Sequence, residues 1–267
     1  MSVIRIERFD DPRLEDYRSV SDAELLRRRN RFVAEGRLVV GRLLESGHRV
    51  DSVLVNDASF HALEASLILL PSDVPIYVCN TNEFAAITGF NLHRGCLALA
   101  ARPEEQSLAD VARRADRVLV LEGVTDADNV GSAFRNAAAF GASVVLSDTC
   151  CDPLYRKAIR TSMGAVLRTP YARAADWPRD LATLKAEGFT VVALTPRTIA
   201  VDLSEYIAKR PPARVALLVG SEGPGLTSEA EAIADVCVRI PMQGDVDSLN
   251  LATASGIALY HFGLVIP

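Results

Sequence analysis

The C-terminal part of the chain alternates short apolar runs with helical segments, and this alternation constrains the fold more than any other feature. The run Val118-Leu-Val-Leu121 contains no polar residue, which is typical of a strand covered on both faces. We predict further strands over residues 144–146, 191–195, 215–219 and 236–240, an extended piece over 166–170, and helices over 129–140, 153–162, 177–187, 228–234 and 248–262. This order favours a mostly parallel sheet with helices on both faces.

The N-terminal third predicts a second, smaller α/β unit. Ser21-Asp-Ala-Glu24 has the spacing of a capping box at a helix start. We predict strands over residues 50–55, 75–79 and 96–101, and helices over 34–44, 57–69 and 81–88. Proline and charged residues interrupt the apolar pattern at 102–107. We therefore expect an N-terminal domain at residues 1–105, a linker at 106–116 and a C-terminal domain at 117–267.

Composition is that of an ordinary globular protein in a reducing compartment. No apolar run reaches the roughly 18 residues that span a bilayer, and the N-terminus lacks the apolar core of a signal peptide. The five cysteines are odd in number and lie mostly in apolar runs, which disfavours a disulfide framework. Cys150 and Cys151 have no second pair at metal-ligand spacing. We expect a cytosolic protein with no membrane segment and no metal site.

The net charge of −5 argues mildly against binding to polyanions, but one basic cluster stands out. It consists of Arg27, Arg28, Arg29 and Arg31. These arginines either form a solvated helix face beside acidic neighbours or contact nucleic-acid phosphates through their guanidinium forks. Both interpretations are open on the residues alone.

Three polar segments interrupt the apolar pattern, and each follows a predicted strand: Asn129–Arg135, the glycine turn Gly220–Gly225, and Ile240–Asn250. Because carboxyl ends of parallel strands meet at one edge of a sheet, they predict a ligand site built from loops. The glycine turn has neither Gly-x-Gly-x-x-Gly spacing nor a Walker lysine, which disfavours dinucleotide and P-loop enzymes. Singly, each segment fits a simpler role, with Asn129 and Ser248 as helix caps and the glycines in a tight turn.

Together, these segments resemble the three ordered motifs of the SpoU class of RNA ribose 2′-O-methyltransferases, in the SPOUT superfamily. The matching patterns are Asn129-x-Gly131-x3-Arg135-x4-Phe140-Gly141, Gly220-Ser-Glu-Gly-x-Gly-Leu226 and Ile240-Pro-Met-x-Gly-x3-Ser-Leu-Asn250. The resemblance covers residues 117–267 and includes Arg160-Thr-Ser-Met-Gly-Ala165. The N-terminal part is similar to the family's substrate-binding domain, itself similar to a small RNA-binding ribosomal protein, through Phe32-Val-Ala-Glu-Gly36 and the βα pattern.

The resemblance implies a deep trefoil knot in the C-terminal domain, S-adenosylmethionine as cofactor, and a homodimer with sites at the subunit interface. Family positions whose backbone holds the cofactor are matched by Gly220, Ile240 and Leu249. Polar catalytic or binding positions are matched by Asn129, Arg135, Glu222, Ser248 and Asn250. The last two of these would help to bind the cofactor or an RNA phosphate.

The family assigns activation of the ribose 2′-hydroxyl to the position of Arg135. A guanidinium has a pKa above about 12 and does not release its proton in a protein. We therefore expect Arg135 to orient a phosphate and to stabilise the developing alkoxide charge. His93 and His261 lie outside the motifs and are expected to be structural.

The residues and the resemblance together predict a two-domain α/β enzyme that methylates a ribose 2′-hydroxyl in RNA. Ribosomal RNA is the expected substrate, transfer RNA is the alternative, and the arginine cluster would contact the RNA. Two other classes are kept open. One is a non-catalytic RNA-binding or ribosome assembly factor with the same fold. The other is a nucleotide-dependent enzyme that uses the glycine turn as a phosphate loop.

Overall fold

The computed structural model describes residues 2–8, 10–18, 21–82, 84, 95–197, 199–209, 212–243 and 247–263. Strands and helices alternate along most of this chain, which confirms the predicted α/β class. The strands are β1 (Ser2–Arg5), β2 (Arg31–Glu35), β3 (Val50–Asn56), β4 (Pro75–Cys79), β5 (Cys96–Ala101), β6 (Arg117–Glu122), β7 (Ser143–Leu146), β8 (Tyr171–Arg173), β9 (Thr190–Leu194), β10 (Val201–Asp202), β11 (Val215–Gly220) and β12 (Val236–Arg239).

The helices differ widely in length, and two of them, α5 and α10, have 13 residues each. The α-helices of the described residues are α1 (Asp22–Arg28), α2 (Arg37–Leu44), α3 (Asp57–Leu67), α4 (Leu108–Ala112), α5 (Ala127–Ala139), α6 (Arg156–Thr161), α7 (Leu181–Ala186), α8 (Leu203–Lys209), α9 (Ser228–Ile233) and α10 (Leu251–Gly263). Short 3-10 helices occupy Pro12–Tyr17 and Ala165–Leu167. Among the described residues, no helix is long and apolar enough to cross a membrane.

The chain divides into two compact units. The first comprises Met1–Glu104 with Pro153–Leu167, and the second comprises Glu105–Asp152 with Arg168–Pro267. The first unit contains a five-stranded mixed sheet in the order β1-β4-β3-β5-β2, in which β5 runs antiparallel to both neighbours. Its core includes Leu14, Leu54 and Phe84.

The second unit contains a seven-stranded sheet in the order β10-β12-β9-β11-β6-β7-β8. Every neighbouring pair is parallel, which confirms the predicted sheet type. The apolar side chains of the central strand β6 are fully buried, as the run Val118-Leu-Val-Leu121 predicts. The parallel order brings the carboxyl ends of β6, β9, β11 and β12 to one edge.

Helices α5 and α10 pack against each other in the second unit. The Asn136 side-chain amide donates hydrogen bonds to the Ala252 carbonyl (2.5 Å) and to the Ser255 hydroxyl (3.3 Å). Gly256 allows this approach, since a Cβ there would lie 3.1 Å from the Asn136 amide nitrogen. The start of α10 is therefore held beside α5.

One predicted helix, residues 34–44, is wrong in its first part. Residues Arg31–Glu35 form strand β2, and the helix begins only at Arg37. Gly36 separates the two with a φ of 90°, a conformation that glycine adopts without strain. The apolar residues Phe32, Val33 and Ala34 are all buried, so they carry no alternation that would distinguish a strand from a helix.

The structure also differs from the predicted domain boundaries. The predicted linker 106–116 contains helix α4, whose start is capped by Ser107 and whose Val111 and Ala112 are buried. Residues 153–167, predicted to belong to the C-terminal domain, pack in the first unit. There the Arg156 backbone N–H and guanidinium both donate to Asp22, at 2.9 and 2.5 Å.

Smaller elements depart from the sequence prediction at other positions. The extended piece predicted at 166–170 is instead a 3-10 turn at Ala165–Leu167 followed by β8. Strands β1 and β10 and helix α8 fall in segments with no sequence prediction. Most of the helix predicted over 81–88 lies outside the described residues.

Candidate functional site

The three polar segments follow strands whose carboxyl ends share one edge of the second unit's sheet. Asn129 lies in the first turn of α5, which follows β6. The glycine turn Gly220–Gly225 begins at the last residue of β11. The segment leading to Asn250 follows β12 and ends where α10 begins. All three segments therefore begin at the edge of the sheet where the sequence predicts them to converge.

Helix α5 is capped by Asp126, not by Asn129. The Asp126 carboxylate accepts hydrogen bonds from the backbone N–H groups of Asp128 (2.7 Å) and Asn129 (3.1 Å). A carboxylate at this position also suits the positive end of the helix dipole. The capping role considered for Asn129 is therefore wrong, and its side chain remains available for other contacts.

Asn250 joins the three segments through one side-chain amide. Its Nδ2 donates to the Glu222 carboxylate (2.7 Å) and to the Asn129 Oδ1 (3.2 Å). Its Oδ1 accepts from the backbone N–H groups of Ala252 (2.9 Å) and Thr253 (3.4 Å), as a helix cap does. Because the oxygen serves the helix start, the amide hydrogens face Glu222 and Asn129. One residue from each segment thus meets at this point, the Asn250 junction.

The glycine turn folds tightly back on the end of β11. The Gly225 N–H donates to the Ser221 carbonyl at 3.0 Å, and these two residues form an isolated antiparallel bridge. Gly223 and Gly225 have φ values of 87° and 74°, which favour glycine. A Cβ at Gly220 would lie 2.2 Å from the Gly225 carbonyl carbon, so no side chain fits there. The turn is therefore shaped by backbone contacts.

A cavity of about 540 Å³ lies between the glycine turn, the end of β9 and the residues that precede α10. Its volume falls within the range of pockets that hold cofactors and small ligands. Its wall includes six of the predicted site residues: Gly220, Glu222, Ile240, Ser248, Leu249 and Asn250. The three residues predicted to hold the cofactor through their backbone therefore line one cavity, with three of the predicted polar residues beside them.

The cavity wall also carries a charged pair that the sequence did not single out. The Arg197 guanidinium contacts the Glu231 carboxylate at 2.5 Å, and both residues line the cavity. Thr195, at the end of β9, lines the same wall. Nothing in the spacing around Arg197 distinguishes it from a surface arginine, which is why sequence reasoning missed it.

Arg135 is not brought to the cavity within one chain. It is exposed on α5 and is absent from the cavity wall. Among the residues that the structure describes, its side chain makes no hydrogen bond or ion pair. Asn136, one position further along the helix, points to α10. Of the five predicted polar residues, Arg135 alone has no contact linking it to the Asn250 junction or to the cavity.

The arginine cluster separates into two kinds of residue. Arg29 forms ion pairs with Asp16 and with Glu15, and Arg31 contacts Asp51 at 2.6 Å. Arg27 and Arg28 are exposed, and their side chains have no hydrogen bond or ion pair in the described part of the chain. The pairing with acidic neighbours therefore holds for Arg29 and Arg31, whereas nucleic-acid contact by Arg27 and Arg28 stays a prediction.

Cysteines and histidines contribute nothing to the cavity in the described residues. All five cysteines are free, and burial raises the pKa of Cys151 to about 11, so its thiol stays protonated at neutral pH. Within the described part of the chain, no group of three or more His, Cys, Asp or Glu side chains is placed to hold a metal ion. His261 packs against the Tyr260 ring, and His93 lies outside the described residues.

Comparisons with known proteins agree on one family. The model of the SpoU rRNA methylase family matches residues 116–260. The chain is 46% identical to an uncharacterized tRNA/rRNA methyltransferase of Mycobacterium tuberculosis, over 94% of this chain and 88% of that protein. It is 28% identical to the 23S rRNA (guanosine(2553)-2′-O)-methyltransferase of Bacillus subtilis, over 96% of this chain and 98% of that protein.

A solved structure of similar size resembles the whole chain. It is the AdoMet-bound rRNA methyltransferase from Sinorhizobium meliloti, with a TM-score of 0.83 and 25% identity, and the match covers 99% of both chains. The similarity therefore includes the N-terminal unit as well as residues 116–260, which the family model matches.

Proposed function

Because the chain belongs to the SpoU rRNA methylase family, we propose that it transfers a methyl group from S-adenosylmethionine to a ribose 2′-hydroxyl of ribosomal RNA. The chain is an RNA methyltransferase, and its cofactor is S-adenosylmethionine. The choice of ribose oxygen and of ribosomal RNA is supported by the Bacillus subtilis relative, which is named for that reaction. The structural observation that carries the proposal is the Asn250 junction beside the cavity.

The cavity is lined by the three residues predicted to hold the cofactor through their backbone. Gly220, Ile240 and Leu249 come from two different segments and face the same space. Backbone N–H and C=O groups bind the hydrogen-bonding groups of a ligand without losing side-chain entropy. The absence of a Cβ at Gly220 leaves room for the glycine turn to close. We assign these three residues to cofactor binding.

Bound S-adenosylmethionine supplies an electrophilic methyl group on a sulfonium, and the protein must align a ribose oxygen with it. In our proposal, the Glu222 carboxylate would attract the positive charge of the sulfonium, and Asn250 holds that carboxylate in place. Asn129 receives the other amide hydrogen of Asn250 and keeps the junction fixed. Alignment of two reactants in one geometry supplies roughly 7 kcal/mol or more of barrier reduction.

We propose that Arg135 acts in a site shared with a second subunit. Its exposure on α5 and its lack of a partner among the described residues are what a residue reserved for a dimer interface would show. In such a site, the guanidinium fork would hold an RNA phosphate and stabilise negative charge on the attacking oxygen. The homodimer and the trefoil knot are part of this proposal.

The first unit is assigned to RNA recognition. Arg27 and Arg28 are exposed and unengaged in the described chain, so they are free to contact phosphates. Arg29 and Arg31 are held by carboxylates and are better explained as residues that stabilise the unit. Although the net charge of the protein is −5, a local positive patch is enough for contact with RNA phosphates.

Mapping of 2′-O-methylated riboses in total RNA, from cells with and without this gene, tests the proposal directly. One ribosomal RNA site should lose its methyl group in the deletion strain and regain it when the wild-type gene is supplied. A gene encoding Asn250→Ala should fail to restore it, because that change removes the amide that joins the three segments.

The alternative functions give different results in this mapping or in a ligand-binding measurement. A missing site in transfer RNA would identify the alternative substrate. Unchanged methylation in all RNA, with ribosome precursors accumulating, would favour a non-catalytic assembly factor. Stabilisation of the protein by ATP or NAD but not by S-adenosylmethionine, measured as a thermal shift, would favour a nucleotide-dependent enzyme.

A further inference from the structure

Glu122, the last residue of β6, is a carboxylate buried in the second unit with only 4% of its surface exposed. It accepts three hydrogen bonds. Trp177 Nε1 and the Thr227 hydroxyl donate to Oε1 at 2.6 and 2.7 Å, and the Thr227 backbone N–H donates to Oε2 at 2.9 Å. No Lys or Arg pairs with it in the described residues. Such a buried acid is tolerated only when its oxygens are satisfied.

Two of the three donors belong to Thr227. This residue directly follows the last residue of the segment that lines the cavity. Leu226, the preceding residue, lines the cavity. The Thr227 hydroxyl also accepts from the Ala230 N–H at 3.2 Å and so caps α9. Just before it, the backbone of Gly225 and Leu226 lies against Gly220 with no space for a side chain. The position of Thr227 therefore determines where the glycine turn closes.

We propose that Glu122 is a positioning residue for the cofactor site. It does not line the cavity, but it holds the C-terminal end of the glycine turn through Thr227 and thereby sets the shape of the cavity wall. This inference rests on the proposed function for the identity of the ligand. It assigns to a strand residue outside the three motifs a role in cofactor affinity.

A carboxylate is required here because both of its oxygens accept. Glutamine is nearly isosteric but has only one acceptor oxygen, and its amide group donates. In one orientation the amide faces the Thr227 N–H, and in the other it faces the indole N–H of Trp177. Either way a buried donor loses its acceptor, which destabilises the arrangement that positions Thr227.

The test is the affinity of the full-length protein for S-adenosylmethionine, measured by calorimetry for wild type and Glu122→Gln. We expect the variant to bind about tenfold more weakly or worse, as the loss of a buried hydrogen bond implies. The KM for cofactor should rise to match, while kcat at saturating cofactor should stay within about twofold of wild type. A control carboxylate in the same unit is Asp235→Asn, whose side chain is 41% exposed.

Asp235 also accepts from a backbone N–H (Val191, 2.8 Å) and from a side chain (Lys185, 2.8 Å) in the same unit, but it does not line the cavity. Its variant should lower thermal stability without changing cofactor affinity. If Glu122→Gln behaves in the same way, with a lower melting temperature and an unchanged Kd, the inference is overturned. A loss confined to kcat would overturn it too.

Variants of Thr227 provide a second route if Glu122→Gln does not fold. Thr227→Val removes the hydroxyl bond and keeps the backbone bond, so the Kd should rise severalfold. Thr227→Ser should restore near wild-type affinity, and equal Kd values for these two variants would reject the inference. A wild-type protein that binds the cofactor but methylates no ribose would overturn the proposed function and leave the comparison of Kd values intact.

Discussion

Substitution of Gly220 by alanine should strongly weaken cofactor binding while leaving most of the fold in place. The Cβ of alanine would lie 2.2 Å from the carbonyl carbon of Gly225, 2.3 Å from its oxygen and 2.5 Å from the Leu226 nitrogen. Non-bonded carbon atoms prefer separations of about 3.5–4.0 Å, so the backbone at Gly225 must move by about 1.3 Å or more. That backbone is part of the cavity wall.

The magnitude follows from the kind of atom that must move. Flexible side chains yield at small cost, but a backbone held by the Ser221–Gly225 bridge does not. Forced insertion of a methyl group typically destabilises a protein by about 1–3 kcal/mol. We expect a loss in stability of that size and a weakening of S-adenosylmethionine binding by about 100-fold or more, because the same displacement deforms the pocket.

Calorimetric titration with S-adenosylmethionine and a melting curve, performed on the same samples, measure the two effects separately. Gly223→Ala is the matched control, since it makes the same chemical change in the same turn. Its φ of 87° imposes backbone strain, but a Cβ there meets nothing within 4 Å. Its affinity should fall far less. If Gly220→Ala binds the cofactor within threefold of wild type, the argument from the backbone collision is wrong.

The remaining predictions concern the polar residues. Asn250→Asp should abolish methylation, because it places a second carboxylate 2.7 Å from Glu222; single-turnover assays would show it, and a rate within tenfold of wild type would contradict the role of the junction. Arg135→Lys should fail nearly as badly as Arg135→Ala, since one ammonium cannot replace a guanidinium fork; near wild-type kinetics for the lysine variant would refute this. Joint replacement of Arg27 and Arg28 by alanine should raise the KM for RNA and leave cofactor affinity unchanged. The slope of the logarithm of the RNA-binding constant against the logarithm of salt concentration should become about 1.4 less steep. An unchanged slope would exclude both residues from phosphate contact.

Much of the second unit could be predicted because its signals are local. An unbroken apolar run such as Val118–Leu121 identifies a buried strand without knowledge of its neighbours. Glycine spacing and a polar loop before a helix identified two segments of the cavity wall. The convergence of these segments follows from the direction of parallel strands.

Other features could not be predicted because they depend on partners that are distant in the chain. The sequence shows Glu122 only as the end of an apolar strand, and its donors lie 55 and 105 positions away. Asp126 and Asn129 are both good capping residues, and only the observed register of α5 assigns the cap to Asp126. Arg29 differs from Arg28 because it forms an ion pair with Asp16, and the sequence pattern of the cluster does not reveal that partner.

The Asn250 junction has a consequence for when this protein becomes active during its own synthesis. Asn129 and Asn250 are separated by 121 positions, and the amide that joins them is oriented by the helix that starts at Leu251. A growing polypeptide that has not yet emerged beyond that helix lacks the piece that completes the pocket. Competence therefore arrives in one step, once the helix that starts at Leu251 has formed, and chains that stop short of it cannot consume the methyl donor.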